Sequence, residues 1–196
     1  MKGSQNNIES NIDWSPLKSG GANFKTHKLV EVSSQRMEYK ASVGSIVFGF
    51  IFLLVGLGVS SIFFFEGFSI FLLLFGVAFA VVGVFILKSA LNPIVFDKSE
   101  GFFWKGKKTP SMMADINELK VATKLDEIYG LQVIKEYVKS SNKGRDTSYY
   151  SYEINLILIS GERLNVVDYG NANAILEDAS RISKFLNTPV LVEPKS

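Results

Sequence analysis

A single histidine, no cysteine and 19 scattered carboxylates bound the chemistry that this 196-residue chain can carry. His27 is the only imidazole, so a His-rich metal site or a two-histidine mechanism is excluded, and any Ser-His-Asp arrangement would rest on it alone. It stands between Thr26 and Lys28 ahead of an extended run, which is the setting of a structural residue. The lack of Cys removes disulfides, thiolate nucleophiles and zinc-thiolate sites together. Neither G-x-x-x-x-G-K-[ST] nor G-x-G-x-x-G occurs outside the apolar part of the chain, so no loop is built to cradle phosphate. Asp168, Glu177 and Asp178 gather near a final turn and helix, where Asp and Asn serve as caps and turn formers. The expectation is a non-enzymatic protein with no catalytic residue, no cofactor and no metal site.

Two groups of side chains suit binding better than catalysis. Lys105, Lys107 and Lys108 follow Trp104 within about twenty residues of an apolar segment, and clustered Lys beside an anionic leaflet gains about 1 kcal/mol per charge while Trp favours the interface. These four residues are the candidate lipid contacts; the competing reading makes them a solvated strand end with its aromatics in the core. Lys139–Tyr149 is rich in turn formers and reads as a polar loop, extended to Tyr152 as a partner-binding surface with Lys143, Arg145, Tyr149 and Tyr150 as candidates. The charge balance argues against nucleic acid as the main partner. Lys and Arg number 21 against 19 Asp and Glu, whereas phosphate binding needs a strongly basic stripe.

The element that positions everything else is Ala41–Leu87, 47 residues with one charged side chain, Glu66. Glu66-Gly67 divides it into uncharged runs of 25 and 21 residues, and about 20 suffice to cross a bilayer's hydrocarbon. The pattern predicts a transmembrane helical hairpin over 41–90 with Glu66 in a solvated turn. Small residues recur every seven positions: Ser42, Gly49 and Gly56 on the first run, Ser69, Gly76, Gly83 and Ala90 on the second. Such stripes let two backbones approach where lipid supplies no hydrophobic drive. Gly49, Gly56, Gly76 and Gly83 are thus expected to pack the hairpin on itself, with a homodimer as the other use of the same stripes. Basic residues flank both ends and only Glu66 sits at the connection, so both termini are expected on the cytoplasmic side of the membrane, which the resemblance given below implies is a bacterial inner membrane. The first 40 residues hold no short apolar run beside Met1, so no cleavable signal is read.

Residues 1–23 lack periodicity and read as a disordered tail, with Trp14 and Pro16 the one feature. Residues 24–40 form two short strands around Ser33-Ser34, leaning on the C-terminal domain. After Pro93, which stops the helix, the domain 91–196 begins with Ile94–Asp97, a turn ending in Gly101 and Phe102–Lys105. Ile116–Val121, Ile128–Lys139, Tyr150–Ser160 and Arg163–Asp168 are further strands. Asn171–Phe185 has helical spacing, with Ala172, Ile175, Leu176, Ala179, Ile182 and Phe185 on one face. Asn171 or Asn173 can cap it and Pro189 follows its end. The fold class is α+β: a two-helix hairpin plus an antiparallel β-sheet or barrel closed by one C-terminal amphipathic helix.

NFKTHKLV before the first span, PIVFDKSEGFFWKG after the second, then LQVIKEYV, YEINLILISGERLNVVDYGN and LNTPV together resemble uncharacterised bacterial two-pass membrane proteins with a cytoplasmic pleckstrin-homology-like domain. The resemblance covers most of Asn23–Val192 and implies a scaffold that presents this domain to a protein partner of unknown identity. A sensor of anionic lipid, or an accessory subunit of a larger membrane complex, is the alternative. Eukaryotic relatives of the fold often bind phosphoinositides through a long basic loop; the equivalent turn here is Lys98-Ser99-Glu100-Gly101, with one charge of each sign.

Overall fold

A computed structural model describes the chain apart from residues 1–8, 11, 22–24, 66–68, 114, 116–117, 143–144, 192 and 194–196. It divides into two compact units: a β unit of Met1–Lys25, Glu31–Met37 and Ile94–Ser196, and a helical unit of Thr26–Val30 and Glu38–Pro93. Strands β1 (His27–Ser33) and β2 (Arg36–Ala41) are cut by this division.

The helical unit is built on α1 (Val43–Phe65) and α2 (Ile70–Ala90), both long and apolar enough to cross a membrane. Glu66 lies outside the described residues. Ser42 starts α1: its Oγ accepts the Ser45 amide at 3.1 Å, and Ser45 Oγ donates to the Thr26 carbonyl at 2.9 Å. The seven-residue stripe is the contact face, since Gly49, Gly56, Gly76, Gly83 and Ala90 are all buried. A Cβ at Gly56 would meet the Ala80 backbone and the Gly76 carbonyl; one at Gly83 would meet the Leu53 amide. The helices therefore touch backbone to backbone. Phe52 and Phe79 stack across the pair with ring centroids 5.2 Å apart. Large side chains cover the outside, with Phe71, Leu74 and Phe85 exposed, and Gly58 also faces outward with no atom within reach of a Cβ.

The β unit carries two open sheets. The first, of order β1-β2-β3-β4-β5, contains β3 (Ile94–Asp97), β4 (Phe102–Lys105) and β5 (Ala122–Lys124), and includes within this unit the hairpin tip of β1 and β2. Gly101, at φ +74°, closes the β3–β4 turn as its position predicts. The tip is fastened by the Lys98 amide donating to the Gln35 carbonyl at 2.8 Å and by an Arg36–Asp97 ion pair at 3.0 Å. The expected strand at Ile116–Val121 is displaced: Glu118 belongs to a 3-10 turn, Leu119–Val121 is bend, and pairing with β4 begins at Ala122 opposite Trp104. Ile116 and Asn117 lie outside the described residues.

The second sheet has order β8-β7-β6-β9. Its long members β6 (Ile128–Asn142) and β7 (Arg145–Leu158) stay antiparallel from Ile128↔Leu158 to Asn142↔Arg145. Residues Lys139–Asn142 and Arg145–Tyr149, expected as part of a loop, are thus the outer part of a two-stranded arm. Ladder hydrogen bonds are indifferent to side-chain polarity, and an arm wet on one face needs no apolar alternation there. β8 (Arg163–Tyr169) pairs β7 only up to Tyr152, and β9 (Val190–Leu191) reaches only Leu131 and Gln132 of β6, so the arm extends beyond both neighbours.

Helix α3 (Ala172–Leu186) closes the unit. Asn171 Oδ1 caps it by accepting the Ala174 amide at 2.9 Å, and Asn187 ends it in the left-handed region at φ 57°. Its Ile175, Ala179 and Ile182 are buried, as are Leu131, Ile154 and Leu156 of the strands it packs on. Asp178 is buried too, and its charge is met by Lys25 at 3.0 Å and by the Tyr169 hydroxyl.

Candidate functional site

Three features of the β unit are built from polar residues in defined places. The first is a strap. Residues 13–21, inside the segment expected to be a disordered tail, run across β6, β7 and β8 through a chain of hydrogen bonds. Arg163 Nη1 donates to the carbonyls of Asp13 (2.6 Å) and Ser15 (2.8 Å), and its Nη2 to the Asp13 carboxylate at 2.7 Å. Glu153, only 3% exposed, accepts the amides of Leu17 (2.8 Å) and Lys18 (3.3 Å). Glu136 accepts those of Gly20 (2.9 Å) and Gly21 (3.3 Å), and the Tyr149 hydroxyl donates to the Gly21 carbonyl at 2.8 Å. The Ser15 amide and hydroxyl, followed by the nearby Arg163 charge, hold the Asp13 carboxyl below its usual range. Sequence reasoning missed the strap because its bonds use backbone groups, which leave no periodic pattern.

Beneath the strap lies a row of amides joined to Lys105. Lys105 Nζ donates to Asn165 Oδ1 (3.3 Å), Asn165 to Asn155 Oδ1 (3.3 Å), Asn155 to Gln132 Oε1 (3.3 Å), and Gln132 Nε2 to the Asp13 carbonyl (2.9 Å). Gln132 and Asn155 are completely buried, so each donor in this row that lost its partner would be stranded away from water. Burial pushes the Lys105 amine down to about 8, helped by the positive charge of Lys18 and opposed by Asp168. A depressed amine makes folding release a proton, so stability rises as pH climbs from about 8 to the ordinary value of 10.5 and is lower below that window. Lys105→Met is expected to abolish this rise. Thermal midpoints of both chains at pH 7.5, 9 and 10.5 check it; identical slopes would count against it.

The four lipid candidates lie in different surroundings. Trp104 is fully buried, its Nε1 donating to the Gly106 carbonyl at 3.2 Å and the Arg36 guanidinium lying 5.5 Å from its ring centroid. Trp104 alternates outward and inward with Phe103 only in a one-sided strand; here both faces of β4 are covered, and Phe103 is buried as well. Lys105 spends its amine on Asn165, leaving Lys107 and Lys108 as the exposed members of the cluster.

The third feature is the outer face of the β6–β7 arm. Lys135, Tyr137 and Lys139 stand opposite Tyr152, Tyr150 and Ser148. Tyr137 and Tyr150 are 50% and 48% exposed, with ring centroids 5.0 Å apart. Lys135 Nζ lies 4.0 Å above the Tyr150 ring and Lys139 Nζ 5.5 Å from the Tyr137 ring. Of the partner candidates, Tyr150 is in this face, Tyr149 points to the strap, Arg145 opens β7, and Lys143 lies outside the described residues. His27 meets Thr26 Oγ1 through Nδ1 at 2.9 Å. Among the described residues, no group of three His, Asp or Glu could hold a metal ion. A shallow pocket of about 530 Å³ between Lys98, Phe102, Lys124 and Leu186 mixes charges of both signs through Glu100 and Asp126.

No protein-family model matches the chain, and comparison with curated proteins found no match.

Proposed function

We propose that this chain is a membrane-anchored interaction protein without catalytic activity, whose β unit binds a protein partner through the β6–β7 arm. The observation that carries this reading is the presence in one chain of an apolar helix pair, closed on itself through its glycine stripe, and an arm whose aromatic face is left open to solvent. A helix pair with Phe71, Leu74, Phe85 and Val43 on its outside is costly in water and favourable in hydrocarbon. In this reading the membrane is a bacterial inner membrane, both flanks of the hairpin face the cytoplasm, and the β unit is pleckstrin-homology-like. Support for the last comes from the antiparallel strands that precede one helix near the C-terminus, although β9 follows that helix and runs parallel to β6, and neither sheet closes into a barrel.

The anchor is tested by alkaline carbonate extraction and by a reporter fused after Ser196: the chain is expected to stay in the pellet and the reporter to read as cytoplasmic. Release by carbonate, or a reporter on the far side, would overturn the anchor or the orientation. Partner binding is tested by mild-detergent pull-down from the host with the full chain and with a version in which Lys139–Ser148 is replaced by Asn-Gly, a pair suited to a two-residue hairpin turn. Loss of a partner from the shortened arm alone is the expected result, and recovery of the same proteins by both chains is the adverse one.

A further inference from the structure

The geometry points to the partner's chemistry: the arm takes an extended acidic peptide segment whose carboxylates are four residues apart, with an apolar side chain midway between them. This deepens the reading above and rests on it.

One face of the arm is already closed by the chain itself. Glu136 and Tyr149 are tied to Gly20 and Gly21 of the strap, and Ser151 is buried beside them. The opposite face is open, and from the Lys135–Tyr152 pair to the Lys139–Ser148 pair its side chains are two lysines, three tyrosines and a serine, with no carboxylate among them. The ligand must therefore be anionic at two points. Lys135 and Lys139 are four residues apart on one strand, so their stems rise about 13 Å apart at 3.3 Å per residue. An extended peptide repeats the same spacing, and its side chains at i, i+2 and i+4 share one face. Carboxylates at i and i+4 meet the two ammonium groups, which leaves i+2 over the Tyr137–Tyr150 pair. In the free arm both ammonium groups lean inward against the tyrosine pair, so each swings outward to meet its carboxylate and frees the rings for the i+2 side chain.

The number of cations selects a peptide over other anions. Lipid surfaces recruit clusters of four to eight basic residues, and a nucleic-acid strand needs a basic groove that follows its backbone. Two lysines flanking an aromatic pair match a short segment.

The test uses full-length protein in zwitterionic nanodiscs and a fluorescein-labelled peptide, Glu-Ser-Leu-Ser-Glu-Ser-Leu-Ser-Glu, read by anisotropy. Its control has the same composition with the three Glu contiguous. The patterned peptide is expected to bind at least fivefold more tightly, to weaken at least tenfold with Lys135→Gln/Lys139→Gln, and to weaken with Tyr137→Ser/Tyr150→Ser. Circular dichroism confirms that the variants are folded; should the tyrosine pair fail to fold, the lysine pair alone decides. Equal affinity for both peptides, an unchanged Kd in the lysine variant or no binding at all would overturn the proposal. So would tighter binding of a dT oligonucleotide or of anionic phosphatidylglycerol nanodiscs, which would reassign the face. If the patterned peptide fails while the shortened arm still loses a captured partner, only the ligand chemistry is wrong; if both chains capture the same proteins, the arm has no binding role.

Discussion

Gly76→Leu is expected to separate the two apolar helices. A Cβ at Gly76 runs into the Ser60 amide and the Gly56 carbonyl, so the obstruction is backbone and no rotamer change relieves it. Overpacking costs about 1–3 kcal/mol where neighbouring side chains can shift; here the helices themselves must move apart, forfeiting the Phe52–Phe79 stack. In hydrocarbon nothing drives them back, because lipid tails solvate leucine as well as another helix does. The chain contains no Cys, so Phe52→Cys/Phe79→Cys can be joined by a short bismaleimide without background reaction. The parent should cross-link within the chain, the Gly76→Leu version should lose most of that product, and Gly58→Leu should retain it because a Cβ there meets nothing. Equal cross-linking in all three would remove the glycine stripe as the cause of close packing.

Glu153→Ala should release the strap and weaken the β unit together. Its carboxylate accepts from the Leu17 and Lys18 amides and from Asn155 Nδ2 at 2.8 Å, all without bulk water. Hydrogen bonds to a charged group are worth about 1.5–3 kcal/mol each, and a donor stranded by the change keeps its full desolvation penalty. A loss of roughly 3 kcal/mol follows, with disturbance passing along the buried Gln132–Asn155–Asn165 row. Trypsin cleavage after Lys18 reads the strap directly, and an increase of about tenfold in rate is expected. Glu153→Gln, which keeps one acceptor, should fall between. A fall in thermal midpoint with no change in cleavage would show that Glu153 serves the sheet and not the strap.

The features legible in the sequence are those in which one residue type answers one local demand. Glycine at seven-residue spacing marks the helix contact, Gly101 marks a positive φ, and Asn171 marks a helix start. The illegible ones depend on partners far along the chain. Leu17 carries no sign that its amide will meet Glu153, and the Ser and Thr residues of the arm have the composition of a loop until their register is known. Trp104 beside three lysines suggested an interface, yet its depth depends on what covers β4 from both sides. The Tyr150 of the arm was recognised as a candidate, but its companions Lys135, Tyr137 and Lys139 were not, because only cross-strand pairing brings them together.

The strap also imposes an order of events during synthesis. Asp13 waits for Arg163, 150 residues later, and Leu17 for Glu153, 136 residues later. At translation rates of 5–20 residues per second, the N-terminal segment spends roughly 8–30 s without its binding site. Meanwhile the apolar pair emerges and must find its environment. The β unit is thus interrupted in sequence by the helices, so its strap can dock only after both apolar helices have been synthesised.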